Sequence, residues 1–239
     1  MKNPLTFALS LASLWLLTLL PALAQTAPQV RDLGSFTAVE VGNGIELRLA
    51  AGPVQRVEAS ADTPELLARL KTEVRDGILK ISFESDRSAF WGRKMTIRDL
   101  RVSLTTATPL TALHASSGAS VSVAGPYATE SLDLSVSSGA TLRASFTATA
   151  LQASVSSGGV ATLSGSCQHL EVGASSGGVF RGDELQTAIC EAKVSSGGNI
   201  DIAVQKNLRA EASSGGDVRY RGAPQVVKVT SSGGSVRGR

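Results

Sequence analysis

Serine is the residue type most conspicuously placed for chemistry in this chain of 239 residues, because Ser-Ser-Gly recurs seven times, beginning at Ser116, Ser137, Ser156, Ser175, Ser195, Ser213 and Ser231. A serine nucleophile needs a base within hydrogen-bond reach. The sequence holds two histidines, His114, two residues before the first Ser-Ser-Gly, and His169, two residues after Cys167. Seven repeated serine pairs with two scattered histidines read as scaffold rather than as a hydrolase. Cys167, His169 and Cys190 have the atoms of a metal site but lack the ligand count and spacing of a closed zinc centre. The two cysteines are a candidate disulfide. They lie eight and five residues before the next Ser-Ser-Gly, so a bridge would need a loop at Cys167 to bring the Cα atoms within about 7 Å. Carboxylates near the repeats, Asp183-Glu184 and Asp217, do not form the pair that a polysaccharide hydrolase or lyase uses. No catalytic residue, metal or cofactor is expected.

What must position these residues is the repeat itself. Successive copies are 21, 19, 19, 20, 18 and 18 residues apart, and a unit of that size buries its apolar face only by stacking on its neighbours. Registered on the first serine, the positions five before (Leu132, Leu151, Leu170, Cys190, Leu208, Val226), three before (Leu113, Leu134, Ala153, Val172, Ala192, Ala210), one before (Ala115, Val136, Val155, Ala174, Val194, Ala212) and five after (Val121, Leu142, Ala161, Phe180, Ile200, Val218, Val236) are apolar. Between them run polar positions, so each coil carries a half-buried strand on either side of the Ser-Ser-Gly corner. The expectation is an all-β solenoid of about seven rungs. Glycine permits the bend, and serine hydroxyls are expected to hydrogen-bond to neighbouring backbone or to one another up the stack. A serine-lined ligand groove along that edge is the functional alternative.

The N-terminal half is strand-rich. Phe36 to Val41 and Ile45 to Leu49 alternate around the Gly42-Asn43-Gly44 turn, and Asp76-Gly77 marks a hairpin. Thr63-Pro64-Glu65 ahead of Leu66, Leu67 and Leu70 predicts about two turns of helix. Residues 1–24 read as a signal peptide: Lys2, an apolar run from Leu5 to Leu20, and Ala22-Leu23-Ala24 before Gln25. An uncleaved anchor is the lesser alternative. Residues 25–35 carry no periodicity and are expected to be a flexible lead-in, followed by one domain over 36–239, with an N-terminal β portion (36–105) and the repeats (106–239). Of 23 basic residues only Lys2 falls in the leader, so the remainder is nearly neutral against 20 acidic residues. That balance excludes a whole-protein field for nucleic acid.

The run Phe36-Thr37-Ala38-Val39-Glu40-Val41-Gly42-Asn43-Gly44-Ile45-Glu46-Leu47, the Asp76-Gly77-Ile78-Leu79-Lys80-Ile81 hairpin, the Ser-Gly rungs and Val218-Arg219-Tyr220-Arg221-Gly222-Ala223-Pro224 resemble the putative auto-transporter adhesin, head GIN domain family over about residues 33–239. The resemblance implies an extracytoplasmic all-β protein with a right-handed β-helix-like stack and brings no catalytic residues. The chain departs from the usual pattern in its Ser-Ser-Gly-Gly corners, where a single Ser-Gly followed by Ala is commoner. It also has no room for a membrane β-barrel.

Two features are candidate contacts. The outward column Arg143, Arg181, Arg219 and Arg237, joined by Arg221, Lys228 and Arg239, would attract anionic surface polymers or lipid headgroups; the plainer role is edge protection, with Asp201 and Asp217 neutralising part of it. Phe90 and Trp91, flanked by Arg87, Arg93 and Lys94, would stack on a sugar or dock a protein, or else plug the N-terminal end of the stack. The leading expectation is an exported, non-enzymatic adhesin or binding module of the bacterial envelope, in the periplasm, the outer envelope or outside the cell. Its partners would be a glycan, an envelope polymer or a surface protein, with no nucleic acid and no membrane span once the leader is removed. A self-assembling structural protein is the second reading, and a carbohydrate-active enzyme the least supported.

Overall fold

Each Ser-Ser-Gly forms the same tight turn. The second serine has φ of 44–51° and the glycine φ of 71–77°, and the following residue donates its N–H to the first serine's carbonyl, from Ala119 N to Ser116 O at 3.0 Å through Gly234 N to Ser231 O at 2.8 Å. Two successive left-handed residues define the type I′ turn. Gly42-Asn43-Gly44-Ile45 repeats it, with φ of 58° and 71° at Asn43 and Gly44 and Ile45 N donating to Gly42 O at 3.2 Å. It is therefore an eighth corner. The corners are stacked by main chain: the N–H of Gly44, Gly118, Gly139, Gly158, Gly177, Gly197 and Gly215 donates to the second serine's carbonyl of the next corner at 3.0–3.2 Å. The hydroxyl ladder expected from the sequence is thus replaced by a backbone ladder, because the turn already aims an N–H and a C=O along the stack.

The computed structural model describes residues 27–84 and 100–239. In chain order the elements are β1 (Gln29–Arg31), β2 (Ala38–Val41), β3 (Glu46–Ala51), β4 (Arg56–Ser60), α1 (Pro64–Arg69), β5 (Leu70–Arg75), β6 (Ile78–Phe83), β7 (Arg101–Thr106), β8 (Ala112–Ala115), β9 (Ser120–Val136), β10 (Thr141–Val155), β11 (Val160–Ala174), β12 (Val179–Val194), β13 (Asn199–Ala212), β14 (Asp217–Arg221), β15 (Gln225–Thr230) and β16 (Ser235–Gly238). Chain leaving the corners makes one parallel ladder, β3-β9-β10-β11-β12-β13-β14-β16; chain entering them makes another, β2-β8-β9-β10-β11-β12-β13-β15. We call these the post-corner and pre-corner faces. The long strands β9 to β13 run through a bend between the two faces, where Tyr127, Phe146, Gly165 and Leu185 are aligned. The chain is a β-solenoid of about seven turns.

The apolar columns lie inside as the alternation predicts. Val121, Leu142, Ala161, Phe180, Ile200, Val218 and Val236 are all buried on the post-corner face, and the column continues through Leu47, Val102 and Ala59. The N-terminal portion therefore supplies the first coils of the same core. Each buried aliphatic contributes about 1.5–3 kcal/mol, which no single coil could collect alone. At the bend, Tyr127 meets Phe146 edge-on, with centroids 6.2 Å apart. Its hydroxyl accepts from Leu110 N at 3.0 Å and shares a hydrogen bond with Thr106 Oγ1 at 2.9 Å.

The two ends differ. At the N-terminal end α1 connects β4 on one face to β5 on the other and buries Leu66 and Leu67 in the core. Thr63 caps it, its Oγ1 accepting from Leu66 N at 3.3 Å, and Pro64 takes the first helical position. The lead-in is not wholly flexible: β1 pairs antiparallel with β4, and Arg31 Nη2 donates to Leu67 O at 3.3 Å. Free backbone on β4 and a carbonyl in the last turn of α1 supply the partners that the sequence pattern of residues 25–35 conceals. At the other end Lys228 occupies a core column, opposite Ala210. Val227 and Val229 are 57% and 52% exposed. Phe90, Trp91 and the leader at residues 1–24 lie outside the described residues.

Candidate binding surface

The post-corner face carries its outward side chains in files that the parallel register makes continuous. One file reads Arg48, Ser122, Arg143, Thr162, Arg181, Asp201, Arg219, Arg237. The four arginines expected from the repeat register are thus aligned. Arg143, Arg181 and Arg237 are exposed, and among the described residues none of the three forms an ion pair. Arg219 is engaged: it meets Asp217 at 2.7 Å and Asp201 at 4.0 Å. Asp201 also holds Arg239 at 3.2 Å, and Arg221 meets Asp183 at 3.1 Å.

Arg48 is the member that sequence registration missed, because its coil turns on Gly-Asn-Gly. The signal was present: Arg48 stands six residues after Gly42, as Arg143 stands six after Ser137. Glu46 binds Arg48 at 2.7 Å and Arg101 at 3.1 Å. Partial burial works to raise its carboxyl, but the two guanidiniums outweigh this and hold it below the ordinary carboxylate value.

The pre-corner face has a different character. Lys193 and Glu191 pair at 2.8 Å, Arg209 and Glu211 at 2.7 Å, Lys80 and Glu40 at 3.6 Å, so most of its charge is internally matched. Its edge runs into a shallow groove of about 430 Å³ beside Ser156, Ser175, Ser195 and Ser213.

The nucleophile and metal constellations weighed from the sequence are not assembled. His114 Nε2 lies 3.8 Å from Asp133 Oδ1 and forms no hydrogen bond to a serine among the described residues, while His169 is exposed on the opposite side of the coil wall from buried Cys167. Cys167 and Cys190 are free thiols, not a bridge. Register sets Cys167 opposite Thr187 and Cys190 opposite Leu170, a stagger of three residues along the coil. Burial pushes both thiols up, Cys190 the further, with Cys167 and Glu191 adding to it. Such thiols are poor nucleophiles and poor ligands.

A family model described as putative auto-transporter adhesin, head GIN domain, matches residues 35–224. The chain belongs to that head GIN family. Among solved structures it is similar to a putative adhesin from Bacteroides fragilis, at 16% identity over 88% of this chain and 93% of that one, with a TM-score of 0.74. A putative adhesin from Parabacteroides distasonis aligns at 19% identity, 89% and 96% coverage and a TM-score of 0.71. A putative lipid binding protein from the same species aligns at 15% identity, 90% and 98% coverage and a TM-score of 0.60. At these identities the likeness is one of fold. No curated protein matches. The head GIN family is described as an adhesin family and not as an enzyme family.

Proposed function

We propose that this protein is an exported, non-enzymatic binding module of the bacterial cell envelope, an adhesin-type rod that holds an extended partner through many weak contacts along one face. The observation that carries this reading is the post-corner file, in which Arg143, Arg181 and Arg237 stand exposed and free of ion pairs among the described residues. A wall of stacked coils keeps such groups in place before a ligand arrives, which lowers the ordering cost of binding. Export follows from the leader-like residues 1–24, and among the described residues no helix is long and apolar enough to cross a membrane. The partner classes that fit are a glycan, an envelope polymer or a surface protein. Binding of the protein to arrayed glycans and isolated envelope polymers tests this: saturable binding is expected, and an array without any ligand would count against it.

Self-assembly is favoured by one separate observation, the exposed Val227 and Val229 on the open strand β15. Sedimentation over a range of concentrations separates the two. A module stays at one mass, whereas an assembling protein grows with concentration.

A further inference from the structure

We propose that the post-corner face binds a linear acidic polysaccharide laid along the stacking axis, with one anionic group for every two sugars. This rests on the binding-module reading and adds the ligand class and its register. From Arg48 to Arg219 arginine stands on every second coil, at Arg48, Arg143, Arg181 and Arg219, with Ser122, Thr162 and Asp201 between them; Arg237, on the coil after Arg219, ends the file outside that alternation. Two coils raise the chain by about 9.6 Å, so the four arginines span about 29 Å at a constant interval. A sugar unit of an extended polymer is about as long as one coil is tall. A charge on alternate sugars therefore meets an arginine each time, and the uncharged sugars fall opposite Ser122 and Thr162.

The chemistry of each position suits that placement. Guanidinium forks take a carboxylate or sulfate through two parallel hydrogen bonds, and hydroxyls both donate to and accept from sugar hydroxyls. In the neighbouring outward file Val160 and Val179 are aligned and half-buried, a small apolar strip for the C–H faces of sugar rings beside Thr162 and Arg181. Arg48 and Arg219 are occupied by Glu46 and by Asp217, so the two central arginines dominate. A fluid anionic bilayer would place no demand on this register. Of the exposed large apolar side chains, Ile189, Val227 and Val229 belong to the pre-corner ladder, while Val30 ends the arginine file three strands beyond Arg48.

The experiment measures binding of the full chain to hyaluronan, with one carboxylate per disaccharide, to polygalacturonate, with one per sugar, to uncharged dextran, and to phosphatidylglycerol vesicles. Hyaluronan is expected to bind best and to weaken as salt rises. Arg143→Gln and Arg181→Gln each weaken it about three-fold, and together about ten-fold. The decisive variant is the exchange Thr162→Arg with Arg181→Thr, which keeps the net charge but sets two arginines on adjacent coils; it is expected to lose hyaluronan as the double glutamine variant does. Wild-type affinity in that exchange, or a preference for polygalacturonate or vesicles, overturns the proposal. Binding of a neutral glycan that ignores all these substitutions would overturn it too, while leaving the binding-module reading intact. The substituted side chains line the outer wall, and an unchanged thermal midpoint checks that each variant is folded.

Discussion

The second serine of every corner sits at φ near 48°, where an ordinary L-residue costs about 1–2 kcal/mol and asparagine costs less. Asn43 holds the equivalent place in the first corner. Ser196→Asn is therefore expected to stabilise the protein by about 0.5 kcal/mol, read as a higher urea midpoint. The fourth corner position behaves in the opposite sense. A Cβ on Gly198 would lie 2.7 Å from Ala174 O and 2.8 Å from its carbonyl carbon, so Gly198→Ala should cost about 1–3 kcal/mol by the same measurement. The first two Ser-Ser-Gly corners carry Ala119 and Ala140 at this place, where the preceding coil leaves room. The doubled glycine was plain in the sequence as a departure from Ser-Gly-Ala. Its cause was not, because the clash is with the backbone of another coil.

At the level of strands, the open end is defended by a charge. Lys228 is exposed at the register of a file otherwise filled by Leu113, Leu134, Ala153, Val172, Ala192 and Ala210, and a charge at such a position on a terminal strand deters pairing with another chain. Lys228→Val is expected to raise the mass seen in concentration-dependent sedimentation; a variant that stays at the parent's mass would show that the lysine has no such role. The strands themselves were legible, since their period of two and the Ser-Ser-Gly register give the columns without coordinates. β1 was not, because three residues paired to a distant strand leave no local pattern. Nor was the insertion of β7 between β3 and β4, which joins residues far apart in sequence and follows from no spacing. In the candidate site four of the arginines could be read in advance. Arg48 was missed because its corner is spelled Gly-Asn-Gly, although its place six residues after Gly42 held the signal, and it extends the alternation already legible at Arg143, Arg181 and Arg219.

Among the described residues the molecule is a stack whose post-corner face lines up eleven strands, about 48 Å from end to end, closed by α1 at one end and open at the other. Each coil touches chiefly the coils beside it, as in other solenoids. When the two ends are drawn apart, tension falls along the hydrogen bonds that join neighbouring coils and loads them one row at a time. The chain should then unspool from the open end in packets of 18 to 21 residues, the intervals between corners, each releasing about 60–75 Å of tether. Optical-trap extension of the protein is expected to record that staircase, and one abrupt release of the full length would speak against it. A tether of this kind lengthens under load instead of letting go, which would spare the grip of a surface-bound molecule held in flow.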